Sequence, residues 1–258
     1  MLQLVKTWIV ARYTFREMIK SKILWNVVLL GIVIAIITFV AAEFTFGVPH
    51  RVALDLGLGS LSVSSYGIAI LIGIGLIKKE EESRTIYLII SRPVSRVSFL
   101  AGKLLGVSSF LVLNILILSL VTILVVKTMG GEISSLVLFA MLFSCLEATL
   151  LLLVVVLLSL IANTAISLMG SLLVLITGHA IAETSKILFV TTKPWLKTVV
   201  DSMNFVFPAF HRFNIKDYVL YQNTIEASQL LMVVGYWFAY MMGLFFLAAM
   251  IINKKNMD

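Results

Sequence analysis

Long apolar runs separated by short polar stretches set the pattern of this chain, and within each run the apolar residues are continuous, not alternating. A hydrocarbon core about 30 Å thick takes roughly 20 apolar residues per helix, and in lipid only helices or closed barrels satisfy every backbone group. Continuous runs select helices. Six are expected, over about 23–44, 57–77, 101–126, 136–161, 165–190 and 228–252. Packed as core helices of a soluble protein, six such runs in 258 residues would leave too little polar surface to cover them. The expected fold is therefore an all-α integral membrane protein, a single domain over 1–258 with little length left for a soluble unit. The content of 60% hydrophobic against 13% charged residues and a mean hydropathy of +1.08 agree with that class.

The first 22 residues differ from the spans. Leu4, Trp8, Ala11, Phe15, Met18 and Ile19 share one helical face, while Arg12, Arg16 and Lys20 step along another. An amphipathic interfacial helix over 1–22, lying on anionic headgroups ahead of the first span, is expected. The basic residues are too spread, and the following run too long, for a cleaved secretion signal. Of 20 Lys and Arg, five lie in this leader, six between Lys78 and Lys103 and two at the carboxyl end, leaving seven for the other side. The positive-inside rule then puts both termini in the cytoplasm. The net charge of +7 is mostly this bias and gives no reason to invoke nucleic acid.

Candidate chemistry is sparse. Cys145 is the single cysteine and lies within a span; His50, His179 and His211 have no metal-ligand spacing; and no G-x-x-x-x-G-K-[ST] phosphate loop occurs. If ATP drives this protein, another chain binds it. Glu147, near the middle of the fourth span, is the one provocative residue. A carboxylate at the bilayer centre costs about 2.5–3.5 kcal/mol on insertion scales, so it should face protein or water, or be protonated. It is a candidate pathway or gating group; the bland alternative is a carboxyl hydrogen-bonded to Ser144, Thr149 or a neighbouring helix. Small residues recur at Gly235, Ala239 and Gly243 and at Ala140, Ser144 and Ala148, faces that let helices approach closely, within one chain or between two.

A polar island from Lys78 to Lys103 interrupts the apolar pattern. It holds an acidic start at Glu80, Glu81 and Glu82, which would suit the beginning of a helix, an apolar middle at Ile86–Ile90, and a basic turn at Ser91-Arg92-Pro93. The apolar middle needs the membrane underside or a partner's groove to cover it. The stretch E-E-S-R-T-I-Y-L-I-I-S-R-P-V-S-R, Glu81 to Arg96, closing on Gly102-Lys103, together with F-P-A-F-H-R-F-N-I-K-D from Phe207 to Asp217, resembles the type-2 (ABC-2) permease subunits of ATP-binding-cassette transporters, especially the NosY-like six-span branch. That resemblance implies a type-2 exporter-like fold in a bacterial or archaeal cytoplasmic membrane. It implies a coupling segment over 78–100 in which Glu80, Glu81, Glu82, Arg84, Thr85, Ser91, Arg92, Pro93 and Arg96 meet a separate ATPase subunit. Arg84 departs from the pattern, since many relatives carry Gly there. The resemblance further implies no cofactor in this chain, ATP and Mg on the partner ATPase, a second permease copy or paralogue, membrane lipids, and an extracytoplasmic accessory protein as a further possible partner.

The segment 191–227 interleaves aromatic with polar residues, as short helices dipping into the outer interface would. By the same resemblance it forms an external gate, with Phe207, Pro208, Phe210 and Phe213 as candidates; composition alone fits an aromatic anchoring belt equally well. Two other function classes compete. An ion- or proton-coupled secondary transporter would use Glu147, with His179, but no broken-helix pair or inverted repeat supports it. An intramembrane serine protease would need an activated nucleophile, and no G-x-S-G motif is present.

Overall fold

The computed structural model describes residues 2–45, 48–82, 95–186, 192–221 and 225–254. Among them the chain is helical throughout: α1 (Leu2–Lys20), α2 (Lys22–Glu43), α3 (Pro49–Glu82), α4 (Arg96–Thr128), α5 (Ser135–Ile161), α6 (Thr164–Lys186), α7 (Pro194–Val206), a 3-10 turn (Phe210–Arg212), α8 (Lys216–Leu220) and α9 (Ala227–Lys254). Five of these helices, α3, α4, α5, α6 and α9, are long and apolar enough to cross a membrane, and α2 holds a shorter apolar stretch, Leu29–Ala41.

At the centre stands α5. Glu147 to Val156 are buried without a break, so that helix is wrapped on every side, as an all-round apolar helix must be. Around it pack α3, α9, α4 and α6, while α2 lies on α3 and α4. Local chemistry sets the joints. After α4, Gly130 takes φ +73° and the amides of Gly130 and Gly131 donate to the carbonyls of Lys127 and Val126, a Schellman ending that needs glycine. Asn163 Oδ1 accepts from the Ile166 amide and starts α6, and Pro194 sits in the first turn of α7.

Two sequence expectations change. The second span was expected over 57–77, but α3 begins at Pro49 and runs on to Glu82, because nothing in Lys78–Glu82 breaks a helix. Glu80, Glu81 and Glu82 therefore stand in the last turn of α3, not at a helix start, where the carbonyl end of the dipole disfavours carboxylates. Their side chains, and Arg84, Thr85, Ser91, Arg92 and Pro93, lie outside the described residues.

The apolar face of α1 divides: Ala11, Phe15, Met18 and Ile19 pack toward the bundle and its amino-terminal part does not. Ala11 and Thr14 are buried against α4, whereas Leu4 and Trp8 are 75% and 69% exposed. Glycines of α4 explain the contact: a Cβ on Gly102 would stand 2.7 Å from the Thr7 carbonyl, and one on Gly106 2.7 Å from the Ala11 carbonyl. The adjoining Lys103 is buried, with Nζ 3.8 Å from Glu17 Oε2 on α1. The Gly102-Lys103 pair is thus the seat of α1 on the bundle. Arg96 Nη1 donates to the carbonyls of Ile252 and Asn253 at 3.3 and 3.5 Å, tying the start of α4 to the end of α9.

The two small-residue faces separate. Ala140 and Ala148 are buried within the chain and Ser144 bonds back to the Ala140 carbonyl. On α9, by contrast, a Cβ on Gly235 or Gly243 would meet nothing within 4 Å, and Leu231, Phe238, Met242 and Phe246 are exposed.

A capped acid at the centre of the bundle

Glu147 is 2% exposed, and its partners come from two other helices. Tyr66 of α3 donates its hydroxyl to Oε1 at 2.7 Å, and His179 Nε2 of α6 stands 3.0 Å from the same oxygen. Neither Ser144 nor Thr149 contacts it: Ser144 bonds to Ala140, and Thr149 donates to the Leu146 carbonyl while accepting from Trp237 Nε1 of α9 at 3.2 Å. Of the expected alternatives, the neighbouring-helix bond is the one present.

The other ring nitrogen fixes the proton count. His179 Nδ1 lies 3.0 Å from the Leu175 carbonyl, which only accepts, so Nδ1 carries a hydrogen. The contact from Nε2 to Glu147 then needs one proton, resident on the imidazole or on the carboxyl. In either arrangement the pair has no net charge, which is how an acid is accommodated at this depth without leaving an uncompensated ion.

This cluster also meets the segment between α7 and α9. The Phe210 ring stacks on the His179 ring, centroids 5.9 Å apart and planes 15° apart. Phe210 and Phe213 are buried at 0% and 2% exposure, and Pro208 and Ala209 are buried beside them. Gly178 makes the fit possible, since a Cβ there would fall 2.4 Å from the Pro208 carbonyl and 2.6 Å from the Phe210 ring. His211 Nδ1 lies 3.3 Å from the Gly178 carbonyl. From the opposite side, Tyr236 of α9 accepts a bond from the Ala209 amide at 2.8 Å and carries the Arg212 guanidinium over its ring at 4.8 Å.

Residues 207–215 therefore insert against α6 and α9 through Pro208, Ala209, Phe210, Phe213 and Ile215, while Arg212 and Asn214 are exposed. Exposed aromatics flank this segment: Trp195, Tyr218 and Tyr221 are 64%, 40% and 71% exposed. Of the four gate candidates, Pro208, Phe210 and Phe213 enter the bundle, while Phe207 caps the end of α7. Sequence reasoning singled out Glu147 and the Phe-rich segment separately. It missed Tyr66 and Gly178, and it paired His179 with Glu147 only in the secondary-transporter alternative, without its link to the Phe-rich segment. The available signal was an acid and a histidine in neighbouring spans of a chain with three histidines.

Among the described residues no group of His, Cys, Asp or Glu has the makings of a metal site. No curated protein matches the chain. The family model described as ABC-2 family transporter protein matches residues 8–195, which takes in α1 to α6 and with them Tyr66, Glu147 and His179. A multi-pass, all-helical chain matched over most of its length in this way belongs to the ABC-2 transporter family, whose members are the membrane permease subunits of ATP-binding-cassette transporters.

Proposed function

We propose that this permease subunit has six spans, α2 being the first, with α1 as an interfacial helix and both termini in the cytoplasm, and that it exports its substrate when a separate ATPase subunit closes beneath it. The family match carries the reading. The charge bias supports the orientation, which puts the 192–221 segment on the outer side. ATP and Mg reside on the partner. Its docking surface is the stretch from Glu80 to Arg96, between α3 and α4. The open Gly235–Gly243 face of α9, with no neighbour in the single chain, is where a second permease copy or a paralogue packs.

Glu147 is a gating group in this scheme. It bridges α3 and α6 directly beneath the Phe210 plug, so that separating those helices pulls on the plug's stacking partner, His179. Outward passage requires release of that plug, and the neutral Tyr66–Glu147–His179 cluster holds it shut at rest.

The test is purification from native membranes with identification of bound subunits, followed by transport assays in vesicles. An ATP-binding subunit should co-purify and should be lost on reversing the charges of Glu80, Glu81 and Glu82 to Lys. Full transport by the purified chain alone, without any nucleotide hydrolase, would overturn the reading.

A further inference from the structure

A cavity lies apart from the Glu147 cluster, along the seam between α2 and α3, with a volume of about 770 Å³. Its walls are apolar: Leu30 and Ile34 on α2, Val63, Ile68 and Leu71 on α3. Val63 and Leu71 are more than 70% exposed, so the cavity is a groove open to the lipid. From Asp55 to Leu71 the lining runs about 24 Å along the helix axis, enough for one leaflet's share of a hydrocarbon core of about 30 Å.

Its polar features sit at defined places. At the end near α8, Lys216 Nζ lies 2.7 Å from Asp55 Oδ1, and Gly59 gives the lysine room, since a Cβ there would already stand 3.4 Å from Nζ. Five residues further along α3, about 7 Å, Ser64 lines the same groove; it is 7% exposed and its Oγ has no hydrogen-bond partner. One turn beyond, Gly67 would meet nothing within 4 Å, which leaves the groove floor open.

We infer that this groove is a binding site for a phospholipid with a zwitterionic phosphate–ammonium head, one acyl chain lying between α2 and α3. The phosphate meets Lys216 and the ammonium meets Asp55. A lone anion is the poorer fit, because the Asp55 carboxylate stands beside the same lysine; a zwitterion satisfies both groups. The open face of α9, with its glycines, offers a second copy a closer approach than this groove does. The site deepens the permease reading by naming a class of amphiphile that the subunit takes from the bilayer.

The test needs neither nucleotide nor ATPase, so its failure leaves the permease reading standing, and failure of that reading leaves this site standing. The full chain is reconstituted in phosphatidylglycerol nanodiscs with phosphatidylethanolamine carrying a mid-chain diazirine, irradiated, and mapped by mass spectrometry. Labelling should concentrate on the groove, and a Gly67→Phe substitution should lower it there by about tenfold while leaving the lipid-facing side of α9 unchanged. Lys216→Gln, which keeps a hydrogen-bond donor to Asp55 but removes the charge, should weaken capture of this probe, and Asp55→Asn should shift preference toward a phosphatidylglycerol diazirine probe. Even labelling of all lipid-facing helices in the unaltered chain, or wild-type preference for the phosphatidylglycerol probe, would overturn the site. So would disulfide-linked dimers of Val63→Cys in a Cys145→Ser background, which would mean that a second copy fills the groove.

Discussion

Replacing Glu147 tests whether the central cluster is held by two hydrogen bonds around one shared proton. Glutamine keeps only one of the two contacts, because Tyr66 and His179 meet the same oxygen: an amide oxygen there accepts from Tyr66 but faces the His179 Nε2 lone pair while Nδ1 keeps its bond to Leu175, and an amide nitrogen there donates to Nε2 but cannot accept from Tyr66. Leucine fills similar space but leaves the Tyr66 hydroxyl and His179 Nε2 without their carboxyl partner, with only the 3.4 Å contact between the two remaining. A buried polar group left unsatisfied costs about 1–3 kcal/mol, and interhelical hydrogen bonds measured in membranes average about 0.6, with a maximum near 1.7. Two lost contacts therefore place Glu147→Leu at about 2–4 kcal/mol, and one lost contact places Glu147→Gln at about 1–2 kcal/mol. At roughly 2–4 °C per kcal/mol for a chain of this size, the leucine variant should melt about 5–15 °C lower. Cys145 is a built-in reporter, being the sole cysteine and only partly exposed, so a thiol-reactive fluorophore reads unfolding in detergent. His179→Leu added to Glu147→Leu should cost about 1–2 kcal/mol less than the two singles summed, because a partner left stranded by one change is removed by the other. A leucine variant within about 0.5 kcal/mol of wild type, or singles that add within about 0.3–0.5 kcal/mol, would refute the reasoning.

Gly178→Val should expel the plug, since its first side-chain carbon would overlap the Pro208 carbonyl and the Phe210 ring; limited proteolysis should then cut within 207–215, which wild type resists. Gly102→Val should displace α1 from α4 by the same overlap with Thr7 and Val10, costing about 1–3 kcal/mol and exposing the Lys103–Glu17 contact to water, as hydrogen exchange along α1 would record. Asn114 is 1% exposed and neither side-chain amide atom has a partner, so Asn114→Leu should raise the melting temperature, by about 1–2 kcal/mol of stability; an unchanged or lower value would mean that the amide is satisfied in the assembly. At Gly75, where a Cβ would meet nothing, alanine should be neutral or stabilising by about 0.4–1 kcal/mol, whereas proline should cost about 3 kcal/mol and separate ATP hydrolysis from transport.

Apolar run length made the helices legible, because a membrane span is specified by length and hydropathy more than by partners. Their ends were less so. Pro49 to Leu56 contains His50, Arg51 and Asp55 and reads as loop by polarity, yet it is helical because α8 folds over it and Lys216 pairs with Asp55. The apolar face of α1 mixes packed and exposed residues for a related reason. Apolarity marks surface that avoids water, but in lipid it does not distinguish a lipid-facing residue such as Trp8 from a packed one; close contact is carried by small residues, here Gly102 and Gly106 on the receiving helix. Tyr66, Glu147 and His179 lie 81 and 113 positions apart in their pairings, beyond what helical periodicity can relate.

One helix connects these features. Over 34 residues, about 51 Å, α3 carries Glu80–Glu82 at one end, Tyr66 midway and Asp55 near the other. A continuous helix transmits displacement as tilt, not as a local change, so a force on its charged end moves the Tyr66 hydroxyl relative to Glu147 and the Asp55 carboxylate relative to Lys216. Both contacts are single, directional and short. Both also restrain the same stretch of chain, because Glu147 holds His179 against Phe210, and Lys216 begins the helix that follows the plug. The five glycines of α3, at 57, 59, 67, 73 and 75, serve close approach or open space, and none adopts the positive φ that would mark a break. A helix so built keeps its length while its contacts change, which is the property a lever between a motor and a gate requires.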